Sequence, residues 1–310
     1  MSQLDDLRTA ILSLDGPVFA VLDGAQFENL PETLMFAGIE ARCLYLDRGD
    51  NHPERLVTAP YMVDLSQAGG VERLLSIVVS PRQLALWRCP AGDDALYRHL
   101  RGLNRVLVPL DVPKMPAAGK DGELQTHEAV LFRHADANAL DQVVPALGAV
   151  EMARMMGPAE RLVFLPEGEA RPKSVRSDPS WPRPLPGMLR IEAGPYSQMR
   201  NARLHRSRLT VAQYLRDCAP DETADMGDDE LFDAVLACER SGSRLGLRSE
   251  AAQAQWAFLM LTTDGEIEKG PPVRQAISEA SDPDAAVGAM MREMTRLANE
   301  QAALPAARVS

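Results

Sequence analysis

Two charged residues stand where strands are predicted to end, and together they could do chemistry. Asp23 closes the apolar run 18–22, and Arg133 closes the run 129–132. Because open sheets collect functional groups at strand ends, Asp23 could act as an acid or a nucleophile while Arg133 holds an anionic substrate. In a structural interpretation, Arg133 instead pairs with Asp23 or Asp136 and fixes a strand-to-helix junction. The sequence leaves both interpretations open.

The rest of the chain lacks the residue patterns of catalytic and cofactor sites. There is no Gly-x-Ser-x-Gly elbow, Walker loop or Gly-x-Gly-x-x-Gly fingerprint, and Asp23-Gly24 is only the start of a phosphate-binding turn. None of the five histidines forms a His-x-x-x-His pair or stands beside a carboxylate pair at metal-ligand spacing. We therefore expect no enzyme: no catalytic residues, no cofactor and no metal.

The four cysteines lie far apart in the chain, at Cys43, Cys89, Cys218 and Cys238. No two of them have the spacing of a zinc site or of a redox pair. We expect all four to be reduced, buried and inert.

The charge balance disfavours a nucleic-acid partner. The chain has 33 basic and 44 acidic residues, a formal net charge of −11, which repels a phosphate backbone. The arginine-rich run 200–208 is either an exposed helix face or a docking patch for an acidic protein. No apolar run approaches the roughly 18 residues of a membrane span, and residues 1–6 are acidic where a secretory leader is basic. We expect no membrane span and a cytoplasmic location.

Hydrophobic periodicity places the two charged residues on an α+β scaffold. Short apolar runs that predict strands alternate with helical patterns along residues 1–165, which favours a mixed α/β lobe with a small mixed sheet flanked by helices. The run 18–22 is typical of a strand covered on both faces. Strands at 106–110 and 129–132 should pair antiparallel through a long connection, and a helix should follow over 135–147 with Asp136 as its cap.

The composition changes beyond this lobe. Residues 166–198 are rich in proline and glycine, which predicts a linker or an excursion at the edge of the lobe. From 199 to 310 every candidate element is helical: acidic residues 228–230 open one helix, Ser249 caps another, and Pro283 begins the last. The sequence thus predicts an α/β domain, a linker and an all-helical lobe.

Several short motifs occur in an order that resembles a known family. They are residues 21–25 (Val-Leu-Asp-Gly-Ala), 44–45 (Leu-Tyr), 59–63 (Ala-Pro-Tyr-Met-Val), 132–136 (Phe-Arg-His-Ala-Asp) and 157–158 (Gly-Pro). The chain resembles a family long described as a domain of unknown function and now associated with adaptor chaperones of the bacterial type VI secretion system. His134 and Ala135 replace the family's usual pair. Residues 244–250, leading to Trp256, look like a helical extension that some members carry.

The resemblance implies a function without an active site. It suggests a non-enzymatic adaptor chaperone that binds a secreted effector and promotes its loading onto the valine-glycine-repeat spike or its tip protein. The family-motif or partner-binding residues would be Asp23, Tyr61, Arg133, Asp136 and Trp256. Two alternatives remain: an immunity protein that neutralises a cognate toxin, and an enzyme that uses Asp23 and Arg133.

Overall fold

The computed structural model describes residues 3–45, 52–114, 124–184 and 186–303. The chain divides into two compact units between Arg200 and Asn201. The first unit combines helices with sheets and the second is helical, so the predicted α+β lobe with a helical lobe is confirmed.

The first unit contains helices and strands in alternation. Its α-helices are α1 (Gln3–Leu12), α2 (Leu30–Phe36), α3 (Pro53–Thr58), α4 (Gly70–Ile77), α5 (Asp93–Arg101), α6 (Ala137–Val143) and α7 (Ala149–Met156). Its strands are β1 (Val18–Asp23), β2 (Arg42–Cys43), β3 (Pro60–Asp64), β4 (Leu84–Arg88), β5 (Arg105–Lys114), β6 (Gln125–Leu131), β7 (Arg161–Phe164), β8 (Lys173–Arg176) and β9 (Leu189–Arg190).

The larger sheet has the order β2-β3-β1-β4-β7-β8, with antiparallel neighbours among the pairs whose register is defined. Strand β1 is buried at every residue, as its uninterrupted apolar sequence predicts. Alternate side chains of β1 enter two hydrophobic cores, Phe19 and Val21 in one and Ala20 and Leu22 in the other. Strand β1 is therefore covered by apolar side chains on both faces of the sheet.

The smaller sheet has the order β6-β5-β9 and provides the mixed pairing. Strands β5 and β6 are antiparallel, as predicted, with Val106 opposite Val130, whereas β5 and β9 are parallel. The middle of the predicted connection between β5 and β6 lies outside the described residues. The helix predicted over 135–147 ends at Val143, and a 3₁₀ turn follows over residues 144–146. Pro145 explains the difference, because it has no N–H for an α-helical hydrogen bond.

The proline-rich segment 166–198 contributes to both sheets of the first unit. Strand β8 extends the larger sheet beside β7, and β9 extends the smaller sheet beside β5. Trp181 is partly buried against the first core. Short strands at a sheet edge tolerate nearby prolines, because one side of an edge strand needs no ladder partner.

The second unit consists of helices around two apolar clusters. They are α8 (Ala193–Cys218, most of it in this unit), α9 (Pro220–Thr223), α10 (Asp228–Arg244), α11 (Glu250–Thr262), α12 (Glu266–Lys269), α13 (Pro271–Ser278) and α14 (Pro283–Ala303). The predicted starts of α10, α11 and α14 are confirmed. Ser249 Oγ accepts a hydrogen bond from Ala252 N at 3.2 Å, as a helix cap should.

The prediction of four buried cysteines is wrong for Cys218, which is exposed. Val211 and Leu215 are buried on α8, whereas Cys218 is the last residue of that helix and is exposed at its end. Within the described ranges, no helix has both the length and the apolar character needed to cross a bilayer.

Candidate functional site at the strand ends

The fold brings Asp23, Arg133 and Asp136 together at the end of β1, a central strand of the larger sheet. Asp23 ends β1, and Arg133 lies in the turn between β6 and α6. Asp136 caps α6: its Oδ1 accepts a hydrogen bond from Asn138 N at 2.9 Å. Asp23 and Arg133 are 110 residues apart in the chain, yet their side chains are in direct contact.

Arg133 binds both carboxylates through one nitrogen. Its NH2 donates to Asp23 Oδ2 and lies 3.1 Å from Asp136 Oδ2. The Arg133 side chain is 40% exposed, whereas Asp23 is only 3% exposed. The Arg133–Asp23 and Arg133–Asp136 pairs, which the sequence offers as alternatives, thus form together. The guanidinium is partly exposed, whereas both carboxylates that it contacts are buried.

Burial dominates the electrostatics of the site. Burial raises the pKa of the Asp23 carboxyl, and the hydrogen bond and charge of Arg133 only partly oppose it. The same burial, followed by the charge of Asp23, raises the pKa of the Tyr45 hydroxyl to about 12. Among the residues that the structure describes, Arg133 is the cation that pairs with both carboxylates, so the two acids outnumber their cationic partner.

A polar network extends the junction across the neighbouring strand ends. Gln26 Nε2 donates to Asp136 Oδ2 at 3.2 Å, and Arg82 Nε donates to Gln26 Oε1 at 2.8 Å. Arg82 NH1 in turn donates to Glu167 Oε2 at 2.6 Å. Gln26, Arg82 and Glu167 are absent from the sequence prediction. They meet because antiparallel pairing places the end of β1, the start of β4 and the end of β7 side by side.

The geometry of Asp23 favours a structural role over nucleophilic chemistry. One carboxylate oxygen accepts from Ala25 N at 3.3 Å and the other accepts from Arg133. A substrate could reach Asp23 only after the Arg133 pair had opened. No group of three or more metal-ligating side chains occurs in the part of the chain that the structure describes.

His134, which follows Arg133 in the motif 132–136, is fully buried. Its Nε2 lies 2.9 Å from Asn104 Oδ1, and its ring centroid is 6.2 Å from that of Phe132. Burial lowers the pKa of His134 to about 3, so the ring is neutral at physiological pH. His134 is therefore a buried, uncharged ring beside Phe132.

Tyr61 and Trp256, the other predicted site residues, are buried in hydrophobic cores of the first and the second unit, respectively. The Tyr61 hydroxyl donates to Leu56 O at 3.1 Å, and burial raises its pKa. Trp256 is buried in the second unit, where its Nε1 donates to Ser241 Oγ at 3.2 Å. Both side chains are buried and hydrogen-bonded, and their predicted role in partner binding stays a prediction.

The arginine-rich run 200–208 lies on α8. Arg208 donates to both carboxylate oxygens of Glu239, at 2.5 and 3.1 Å, so its charge is already matched within the second unit. Arg203 is exposed. These contacts favour the exposed-helix interpretation of the run.

Residues 18–154 match a family model. The family is described as Domain of unknown function (DUF4123). The match includes Asp23, Tyr61, Arg133 and Asp136, so the whole of the Arg133 junction lies within the DUF4123 segment. Comparisons with curated proteins and with solved structures find no match. The resemblance deduced from the motifs is thus confirmed as far as a family without an assigned function.

Proposed function

We propose that the protein is a cytoplasmic, non-enzymatic adaptor that binds a type VI secretion effector. It would promote loading of that effector onto the valine-glycine-repeat spike or its tip protein. The observation that carries the proposal is the DUF4123 match, which contains four of the five ordered motifs, all but 157–158, and the Arg133 junction. The closed Asp23 carboxylate supports a binding role, because it leaves the site without an accessible nucleophile.

An exposed apolar surface on α2 supports the binding role. Met35 and Phe36 are adjacent, and they are 67% and 77% exposed. Phe36 also lines a surface depression of about 510 Å³, together with Glu28 and Glu32. Burying such a phenylalanine side chain against a partner contributes roughly 1.5–3 kcal/mol. We call Met35 and Phe36 the α2 surface and propose that it contacts the effector.

Co-expression with a candidate effector encoded beside the protein tests the proposal. The tagged full-length protein should retain the effector on an affinity column and increase its soluble yield. Phe36→Ser should reduce retention at least tenfold. Leu131→Ser is the matched control, since Leu131 is 60% exposed on β6, outside the α2 surface. Absence of any complex would contradict the adaptor function, whereas retention by Phe36→Ser would contradict only the role of the α2 surface.

The two rival functions predict different results in the same system. An immunity protein would abolish the toxic activity of the bound effector, whereas an adaptor leaves delivery dependent on its presence. An enzyme that uses Asp23 and Arg133 would lose its effect in the uncharged variant Asp23→Asn/Arg133→Gln. If this variant folds and still supports delivery, the enzymatic alternative is wrong.

A further inference from the structure

Three arginines lie side by side across three neighbouring strands of the larger sheet. Arg88 on β4 is opposite Arg161 on β7, and Arg161 is opposite Arg176 on β8. Directly opposed residues point to the same face of a sheet, with Cβ atoms about 4.5–5.5 Å apart. We call Arg88, Arg161 and Arg176 the arginine ladder.

The charges of the ladder are only partly matched. Arg88 NH1 donates to Glu160 Oε2, and Arg88 Nε donates to the backbone oxygen of Asp15. Arg161 Nε donates to the neutral Ser174 Oγ at 2.8 Å. Among the residues that the structure describes, no carboxylate lies within ion-pair distance of Arg161 or Arg176. Like charges placed opposite one another destabilise a sheet, so folding alone does not account for the ladder.

The ladder lines a surface depression of about 470 Å³. Ser13, Asp15, Glu160 and Ser177 also line it, so three guanidinium groups face two carboxylates. Asp178 follows Ser177, and its carboxylate accepts a hydrogen bond from Ser180 N at 2.8 Å. The depression has an excess of positive charge on a chain whose formal net charge is −11.

We propose that the arginine ladder binds the carboxylates of an acidic segment of a partner protein. Guanidinium groups bind carboxylates and phosphates alike, through paired N–H donors. The dimensions favour a protein segment over a free anion. Strands lie about 4.8 Å apart, so the ladder extends over about 10 Å, farther than one phosphate group reaches. Acidic residues at alternate positions of an extended chain are about 6.6 Å apart and can contact successive arginines.

Titration of the purified full-length protein with a fluorescein-labelled peptide of four Ser-Glu repeats tests this proposal without the effector. Fluorescence anisotropy at low salt should show saturable binding that weakens as salt rises. Arg161→Gln/Arg176→Gln should weaken binding at least tenfold. Arg98→Gln/Arg240→Gln is the matched control, since both arginines are exposed and the net charge changes equally. The control should bind within twofold of the wild type.

Thermal unfolding separates loss of the site from loss of the fold. The ladder variant should unfold at the same temperature as the wild type or higher, because it relieves repulsion between like charges. Equal weakening in the two double variants would overturn the proposal, since it would indicate general charge attraction. Saturable binding of inorganic pyrophosphate without binding of the peptide would also overturn it, in favour of a free anion.

Discussion

Replacing Arg133 with alanine should destabilise the first unit far more than loss of an exposed ion pair does. The change removes the guanidinium that pairs with Asp23 and Asp136, both of which are buried. Breaking a buried pair from one side costs about 3–5 kcal/mol. Because 40% of the Arg133 side chain is exposed, we expect the lower end, about 3 kcal/mol.

The penalty of Arg133→Ala should depend on pH, with a sign set by Asp23. Burial already raises the folded pKa of Asp23 above the ordinary value of 3.8, and loss of Arg133 raises it further. An acid with a raised folded pKa favours folding at low pH, and that contribution is lost as pH rises through the folded pKa. The penalty should therefore be larger at pH 8 than at pH 5. Asp23→Asn added to Arg133→Ala should recover part of the lost stability.

Amide hydrogen exchange measures this effect in the first unit alone. In β1 and β4, a loss of about 3 kcal/mol corresponds to roughly a hundredfold faster exchange through opening, after correction for intrinsic rates. Arg8→Ala is the matched control, because the Arg8–Glu72 pair joins two exposed side chains outside the junction and should contribute at most about 1 kcal/mol. Equal acceleration in the two variants, or a penalty that does not shrink at pH 5, would refute the electrostatic account of the junction.

Three further changes test the packing around the site and the second unit. Gly157→Ala should lower the free energy of unfolding by more than about 3 kcal/mol, because the φ of Gly157 is +51° and an added Cβ would lie 2.2 Å from His99 Cε1. Gly168→Ala is the control: Gly168 has a φ of +82° but lies in open space, so thermal melts should show a loss of about 1–2 kcal/mol. Burial lowers the pKa of His99 to about 4, so the free energy of unfolding should fall as the pH drops from 6.5 to 4, by up to about 1.4 kcal/mol per pH unit. Urea titrations at several pH values should show a weaker pH dependence for His99→Gln. An unchanged pH dependence would count against His99 as its cause. Ser249→Ala should cost about 1 kcal/mol and accelerate exchange at the start of α11, whereas Ser249→Asp keeps a capping oxygen and should not.

Local sequence signals predict much of this fold. An uninterrupted apolar run defines β1, and cap residues define the starts of α6 and α11. Short elements escape prediction: β7 has four residues, and α3 has six next to a turn-rich loop. Their conformation depends on tertiary contacts, because an isolated element of this length has too few local interactions to fix it.

The candidate site is only partly visible in the sequence. Asp23 and Arg133 stand at recognisable strand ends, and Asp136 is a recognisable cap. The sequence could not decide whether Arg133 pairs with Asp23 or with Asp136, because one pairing is local and the other joins residues 110 positions apart. The local sequence around Gln26 and Arg82 does not predict their roles, since these depend on which strand ends lie side by side in the sheet.

The arginine ladder shows why sheet register can carry more functional information than composition. Arg88, Arg161 and Arg176 are separated by 73 and 15 positions, so no sequence window contains all three. A shift of one residue in the pairing of β4 with β7 would move the Arg161 side chain to the opposite face and separate it from Arg88. The apolar alternation of β7, with Leu162 in one core and Val163 in the other, strongly opposes such a shift. The packing of the hydrophobic cores thus holds three like charges on one face, where an acidic partner could stabilise them.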